Sequence, residues 1–264
     1  MGYRIFLAGA TGAIGRRLIP LLREAGHDVV GMTRSQEKAN ALLELGAIPV
    51  VVDVFDRQAL TRIVVAARPD VVIHQLTDLP RGLDPAQMND AIIRNARIRN
   101  EGTGNLVSAA MAAGVRKLVA QSIAWAYAPG ALPHPESDPL DAMAEGNRAI
   151  SVAGVIALEN GVLRSPGITG VVLRYGQLYG PGTGADVSSG PIPLHVDAAA
   201  YAALLAVSHE ISGAFNIVEL NEEVATERAG TELGWKADFR LSRAGMAGRP
   251  RAKTEPMPFD IICR

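Results

Sequence analysis

The stretch that most constrains this chain is Gly9-Ala10-Thr11-Gly12-Ala13-Ile14-Gly15. It follows an apolar run, Ile5-Phe6-Leu7-Ala8, that reads as a buried strand, and precedes Arg16 to Leu22, which carries one apolar helical face. Glycines between a strand and a helix have a specific use. One permits the tight turn, a second lets a phosphate reach the backbone, and a third lets the helix pack close to the sheet. The helix start then offers unpaired N–H groups and a positive dipole end to a pyrophosphate. An ordinary strand-to-helix turn is the competing reading. The motif's position at the first strand and the pattern of the remaining chain favour dinucleotide binding.

Strand and helix signals alternate after this turn. Strands are expected at residues 27–32, 48–52, 71–74, 117–121, 170–175 and 214–218. Helices are expected at 35–45, 56–67, 85–113, 145–164, 196–207 and 222–233, with a further small strand near Phe239. Ser35 caps one helix and Gly46 stops it, while Pro20 should bend the first. Such alternation implies a doubly wound α/β fold of seven mostly parallel strands, with right-handed crossovers and a small C-terminal lobe. We read residues 1–264 as one Rossmann-type domain, whose substrate side is formed by about 123–147, 176–195 and 219–264. The arginine- and proline-rich tail from Gly245 is expected on the surface.

Composition narrows the classes. A net charge of −1 points to neither nucleic acid nor an anionic membrane. The lone cysteine, Cys263, allows no internal disulfide. No apolar run reaches the ~20 residues of a membrane span, and no signal peptide is visible, so the cytoplasm is expected. No Cys/His/Asp cluster has metal-ligand spacing, so no metal is expected.

Ligands of a doubly wound sheet sit at the carboxyl ends of its strands. Gly9, Thr11, Gly12, Ala13, Ile14 and Gly15 therefore head the expected cofactor residues. An NAD site usually has an acidic residue at the end of the second strand, whereas this chain has Thr33-Arg34. An arginine fork suits a 2′-phosphate, which favours NADP(H) and leaves NAD(H) open, the alternative for Arg34 being a solvated surface cation. Asp53, followed by Val54, reaches for adenine or caps the next helix.

The motifs carry a family resemblance. The glycine turn, Asp70-Val71-Val72-Ile73-His74, Asn100-Glu101-Gly102-Thr103-Gly104-Asn105-Leu106, Gly114 to Val119, Arg174 to Pro181 and His195-Val196-Asp197 occur in order. Together they make the chain similar to the extended and atypical short-chain dehydrogenase/reductases, the NAD(P)-dependent epimerase/dehydratase family. The resemblance implies strand order 3-2-1-4-5-6-7 and a nicotinamide near Gln75, Leu76, Thr77, Gln121, Ser122 and the stretch Tyr175-Gly176-Gln177-Leu178. It assigns Asn100 to shaping the long helix. It also implies a homodimer formed by helices 85–113 and 145–164, to which Ala91, Ile92, Ala96, Ile98, Val152, Ile156 and Ala157 offer contact surface.

The family's usual catalytic residues are missing. Its members carry Tyr-x-x-x-Lys, and alignment on Glu159 puts Ser151 at the tyrosine and Val155 at the lysine. No tyrosine in the chain is followed four residues later by lysine. Trp125, Tyr127, Tyr175 and Tyr179 fall on the rim, either as hydrophobic lining or with one hydroxyl as proton donor. Tyr127, with Ser122 as its hydrogen-bond partner, is the candidate acid. His134 is expected to be solvated, His74 to be a satisfied core residue and His195 to be structural. The reading is an oxidoreductase or epimerase-like enzyme acting on a small carbonyl, alcohol or sugar-type substrate. A catalytically weak NADP(H)-binding sensor is the alternative.

Overall fold

A computed structural model describes residues 2–80 and 84–242. Its centre is a seven-stranded parallel sheet in the order β3-β2-β1-β4-β5-β6-β9, the order the resemblance implies. The strands are β1 (Arg4–Ala8), β2 (Asp28–Thr33), β3 (Ile48–Val51), β4 (Val71–His74), β5 (Lys117–Ile123), β6 (Thr169–Tyr175) and β9 (Gly213–Ile217). Ala8 pairs in register with both Met32 and His74, and Ile123 with Tyr175, so the carboxyl ends form one continuous rim.

Helices cover both faces. On one lie α1 (Ala13–Glu24) and α7 (Val196–Ser208), packed with Leu7, Ile73, Leu173 and Phe215 of the sheet. On the other lie α3 (Arg57–Ala67), α5 (Thr103–Ala112) and α6 (Gly146–Leu163), packed against Phe6, Val72, Leu118 and Val172. Burial on both faces explains why these strands are almost wholly apolar. The remaining helices are α2 (Gln36–Glu44), α4 (Met88–Arg97) and α8 (Glu227–Leu233). Ser35 caps α2, its hydroxyl accepting from the Lys38 N–H. Arg17 of α1 and Asp197 of α7 form a buried ion pair that ties two helices 180 residues apart.

Several expectations change in detail. The long helix over 85–113 is interrupted, with a π-helical turn, Ile98–Gly102, between α4 and α5. There Gly102 faces Val54, whose Cγ1 would lie 3.3 Å from any added Cβ, and Thr103 Oγ1 meets His74 Nε2 at 3.0 Å. The widened turn thus holds the long helix against two strand ends. Asn100, within it, is exposed. Helix α8 is shorter than 222–233 because Asn221 Oδ1 accepts the N–H groups of Glu223 and Val224, each at 2.8 Å, folding that segment into a turn. Phe239 lies in no strand and stacks on Tyr201, centroids 4.1 Å apart. The loop after Pro181 ends in a short strand, β8 (Pro193–His195), which pairs in parallel with β7 (Gln177–Tyr179). The tail from Gly245 and Cys263 lie outside the described residues. Among the described residues no helix is long and apolar enough to cross a membrane.

Candidate active site

The glycine turn has the geometry an anion cradle needs. Gly9 has φ +87°, and a Cβ there would lie 2.4 Å from the Gln75 carbonyl oxygen. A Cβ on Gly15 would lie 2.3 Å from Gly9 O, so this glycine sets the close approach of α1 to the turn. Gly12 is the N-cap of α1, whose first turn carries no acidic residue. The N–H groups of Ala13, Ile14 and Gly15 donate to no acceptor among the described residues. Free donors, a positive dipole end and no side chain in the way fit a dinucleotide pyrophosphate. Thr11 is half-buried on the same turn. Behind the cradle, buried Gln75 Oε1 has no partner among the described residues while Nε2 donates to Tyr175 Oη at 3.4 Å.

The adenosine end lies past β2 and β3. Thr33 is buried, and its Oγ1 accepts the Ser35 N–H at 3.2 Å. Arg34 is exposed and makes no hydrogen bond or ion pair among the described residues. Asp53 is exposed and accepts the Phe55 N–H at 2.9 Å. It does not cap α3, since Asp56 does that by accepting from Ala59 N at 2.9 Å. Val54 is buried, its carbonyl held by Asn105 Nδ2 at 3.0 Å.

Along the rest of the rim, Thr77 and Gln177 are exposed, and Leu76 and Gln121 half-buried. Tyr175 departs from its expected place. Its ring lies in the core under α7 and its hydroxyl donates to Ala199 O at 3.1 Å, so it stands behind Gln75 rather than in the cleft. Burial raises its pKa. Tyr179 donates to Glu219 at 2.9 Å and is raised as well, first by burial and then by that carboxylate. Of the four rim aromatics only Trp125 is exposed.

Tyr127 and Ser122 are not partners. Ser122 Oγ donates to Glu159 Oε1 at 2.8 Å. Tyr127 Oη donates to Asn216 Oδ1 at 2.7 Å and accepts from Arg174 Nη1 at 2.8 Å. The Tyr127 ring stacks on His134 at 5.0 Å, and burial raises its pKa. Its proton is therefore committed inside the protein, which removes Tyr127 as a poised acid. His134 is buried rather than solvated, its Nδ1 2.7 Å from Asp138 Oδ2 and its backbone bonded to Glu223 and Ala225. His74 is satisfied in the core by Thr103 and the Leu76 N–H, and burial followed by the Arg99 charge lowers its pKa to about 4. His195 caps α7 through Nδ1, which accepts from Asp197 N.

A buried ion pair joins these groups. Arg174 donates to Glu159 from Nε at 3.0 Å and from Nη2 at 2.7 Å, both side chains being buried. Burial opposes the Arg174 charge, but bonding to Glu159 outweighs it and raises its pKa.

Residues 5–216 match the sequence model of the NAD dependent epimerase/dehydratase family. The chain belongs to that family. A curated relative from Streptomyces sp, 3-diazoavenalumate denitrifying reductase, is 38% identical over an alignment of 293 positions spanning 95% of this chain and 94% of the relative. UDP-glucose 4-epimerase from Thermotoga maritima, solved with UDP-glucose, is 20% identical with TM-score 0.71, covering 93% of this chain and 97% of that one. The Bordetella bronchiseptica enzyme WbmH, solved with NAD+, is 19% identical with TM-score 0.70, covering 93% and 96%. At those identities the two structures speak for the fold. The chain is an epimerase/dehydratase-family oxidoreductase with an NAD(P)-binding Rossmann fold.

Against the family pattern, Ser151 is half-buried and Val155 is fully buried with Ile123, Ala126 and Val152. Arg99 stands in the π-helical turn opposite Gly154 of α6, a placement that no sequence motif signals. The partnership of Glu159 with Arg174 has one signal in the sequence, an arginine inside a buried parallel strand.

Proposed function

We propose that this enzyme is an NADPH-dependent reductase that works without a tyrosine–lysine pair and acts on a small hydride acceptor whose reduction requires no proton relay. The observation that carries the reading is Val155, sealed at 0% exposure where the family places lysine. Oxidising an alcohol requires a base for the hydroxyl proton, and neither Ser151 nor Val155 supplies one at neutral pH. The tyrosines of the rim have their hydroxyls committed elsewhere. A bound dihydronicotinamide supplies a hydride. An aryl diazonium group takes one up and releases N2, exchanging a C–N for a C–H bond with no proton gained or lost. The name of the Streptomyces relative, a denitrifying reductase of a diazo compound, supports this substrate class.

In this reading the N–H groups of Ala13, Ile14 and Gly15 hold the pyrophosphate and Arg34 holds the 2′-phosphate, with Thr33, Asp53 and Val54 beside the adenosine. Gln75, Leu76, Thr77, Gln121 and Gln177 line the nicotinamide end, and NADH serves with lower affinity. The test is cofactor oxidation with an aryl diazonium carboxylate, an aldehyde and UDP-glucose, each against an enzyme-free control. Turnover of the diazonium alone supports the reading. Turnover of UDP-glucose, or oxidation of an alcohol, overturns it.

The same reading includes a homodimer through α4 and α6. Ala91, Ile98 and Val152 are buried within the chain and offer no surface to a partner, which corrects three of the expected contacts. Ile93 and Ile150, 57% and 37% exposed, extend the apolar face instead. A monomer by light scattering at micromolar concentration would exclude the dimer.

A further inference from the structure

Arg99 is a charged side chain without a contacting counterion among the described residues. It makes no hydrogen bond or ion pair among the described residues, although it is only partly exposed. Its Cβ would lie 3.4 Å from a Cβ added to Gly154, and Ala96 Cα would lie 3.0 Å from it, so the absence of a side chain at Gly154 lets α6 and the π-helical turn close on each other here. Ser151 and Val155, the positions of the missing pair, stand beside Gly154 on the same helix.

The π-helical turn that carries Arg99 lies at the rim, because Thr103, the next residue after it, meets His74 Nε2 at the end of β4 at 3.0 Å. The Arg99 charge acts on His74, at the end of β4, and feels Glu159, which receives Ser122 of β5. Glu159 is not its contact partner: no hydrogen bond or ion pair joins the two, and the carboxylate is engaged instead by Ser122 and, twice, by Arg174. Burial pulls Arg99 down to about 10, with Glu159 opposing, so the residue stays cationic at neutral pH. A partly desolvated, unpaired cation is costly, and in a cleft it gains most from an anion brought by a ligand. The planar fork of arginine matches a carboxylate in two parallel hydrogen bonds. In the reading above, the cofactor phosphates have their own donors, at the glycine turn and at Arg34.

We propose that Arg99 is the substrate-binding residue of this enzyme and that it recognises a carboxylate on the molecule to be reduced. The proposal rests on the reductase reading above and narrows its substrates to anions. Arg99 fixes orientation and specificity. As a permanent cation it transfers no proton.

The experiment measures binding, not turnover. Benzoate, methyl benzoate and phenyl phosphate are titrated calorimetrically into full-length protein saturated with NADP+, for the wild type, Arg99→Met and Arg99→Lys. The wild type should bind benzoate in preference to the ester and to phenyl phosphate. Arg99→Met should bind benzoate about 10-fold or more weakly, as for loss of a hydrogen bond to a charged group, with ester and NADP+ binding unchanged. Arg99→Lys should recover part of the loss. Equal weakening of acid and ester, loss of NADP+ affinity in place of benzoate affinity, preference for phenyl phosphate, or no binding of benzoate to the wild type at millimolar concentration would each overturn the proposal. Failure confined to the acid overturns this proposal alone. Failure of the wild type to bind NADP+ or NADPH brings down the reductase reading and the proposal together.

Discussion

Arg174 holds Glu159 through two hydrogen bonds, from Nε and Nη2, across the gap between the sixth strand of the main sheet and helix α6. The pair does more than join two elements. Ser122 donates to the same carboxylate and Tyr127 accepts from the same guanidinium, so β5, α6, β6 and the loop after β5 share one polar centre. Glu159→Gln should cost about 3–5 kcal/mol, the range for a buried charge stripped of its partner. The double variant Glu159→Gln/Arg174→Met should cost clearly less than the two single losses added. Urea denaturation of the four proteins checks this, and additive losses would mean that the residues do not act as a pair.

The neutral His74 makes stability depend on pH. Its pKa falls from 6.5 in the unfolded chain to about 4 when buried. Between those values the unfolded chain binds a proton that the native protein refuses, so stability falls as pH falls from 6.5 towards 4 and levels off below. The total is up to about 3 kcal/mol. His27, also lowered by burial, adds in the same direction. His74→Asn lacks a titrating ring, so its urea midpoint should decline less steeply than that of the wild type from pH 6.5 to 5. Parallel profiles would show that His74 does not titrate in this window.

Arg34 offers a selective test of the cofactor assignment, because it is exposed and makes no hydrogen bond or ion pair among the described residues. Arg34→Ala should weaken NADPH by about 1.5–3 kcal/mol, as for a hydrogen bond to a charged group. NADH affinity should hardly change. Calorimetry with both cofactors decides it, and loss of both alike would place the arginine away from the 2′-phosphate.

What could be read from sequence follows from how local each cause is. The turn is legible because only glycine tolerates the contacts of position 9 with Gln75 O and of position 15 with Gly9 O. The strands are legible because both faces are buried, and Ser35 because capping acts over three residues. The centre around Glu159 is not, because its members are brought together from 15 to 89 positions apart. Tyr127 follows β5 and Tyr175 ends β6, but which way a ring points is settled by packing against His134 and α7, and no spacing reports that. Arg99 reads as an ordinary helical surface arginine until the π-helical turn and Gly154 bring it against α6.

Tyr127 separates a structural role from a chemical one. A proton-donating phenol must have its proton free to give, whereas this one donates to Asn216 Oδ1, whose own Nδ2 donates to the carbonyls of His134 and Ala225. Tyr127→Phe keeps the ring and its stacking on His134 but leaves Asn216 Oδ1 and Arg174 Nη1 each short of a partner. Stability should fall by about 1–3 kcal/mol, the cost of unsatisfied buried groups. The single-turnover rate of NADPH oxidation should be unchanged once conditions keep the variant folded. Slowing by about 10²-fold or more, the range for a positioned acid, would return the hydroxyl to the mechanism. Urea denaturation and rapid mixing on the same preparation therefore give opposite signatures for the two roles, and the buried partners favour the first.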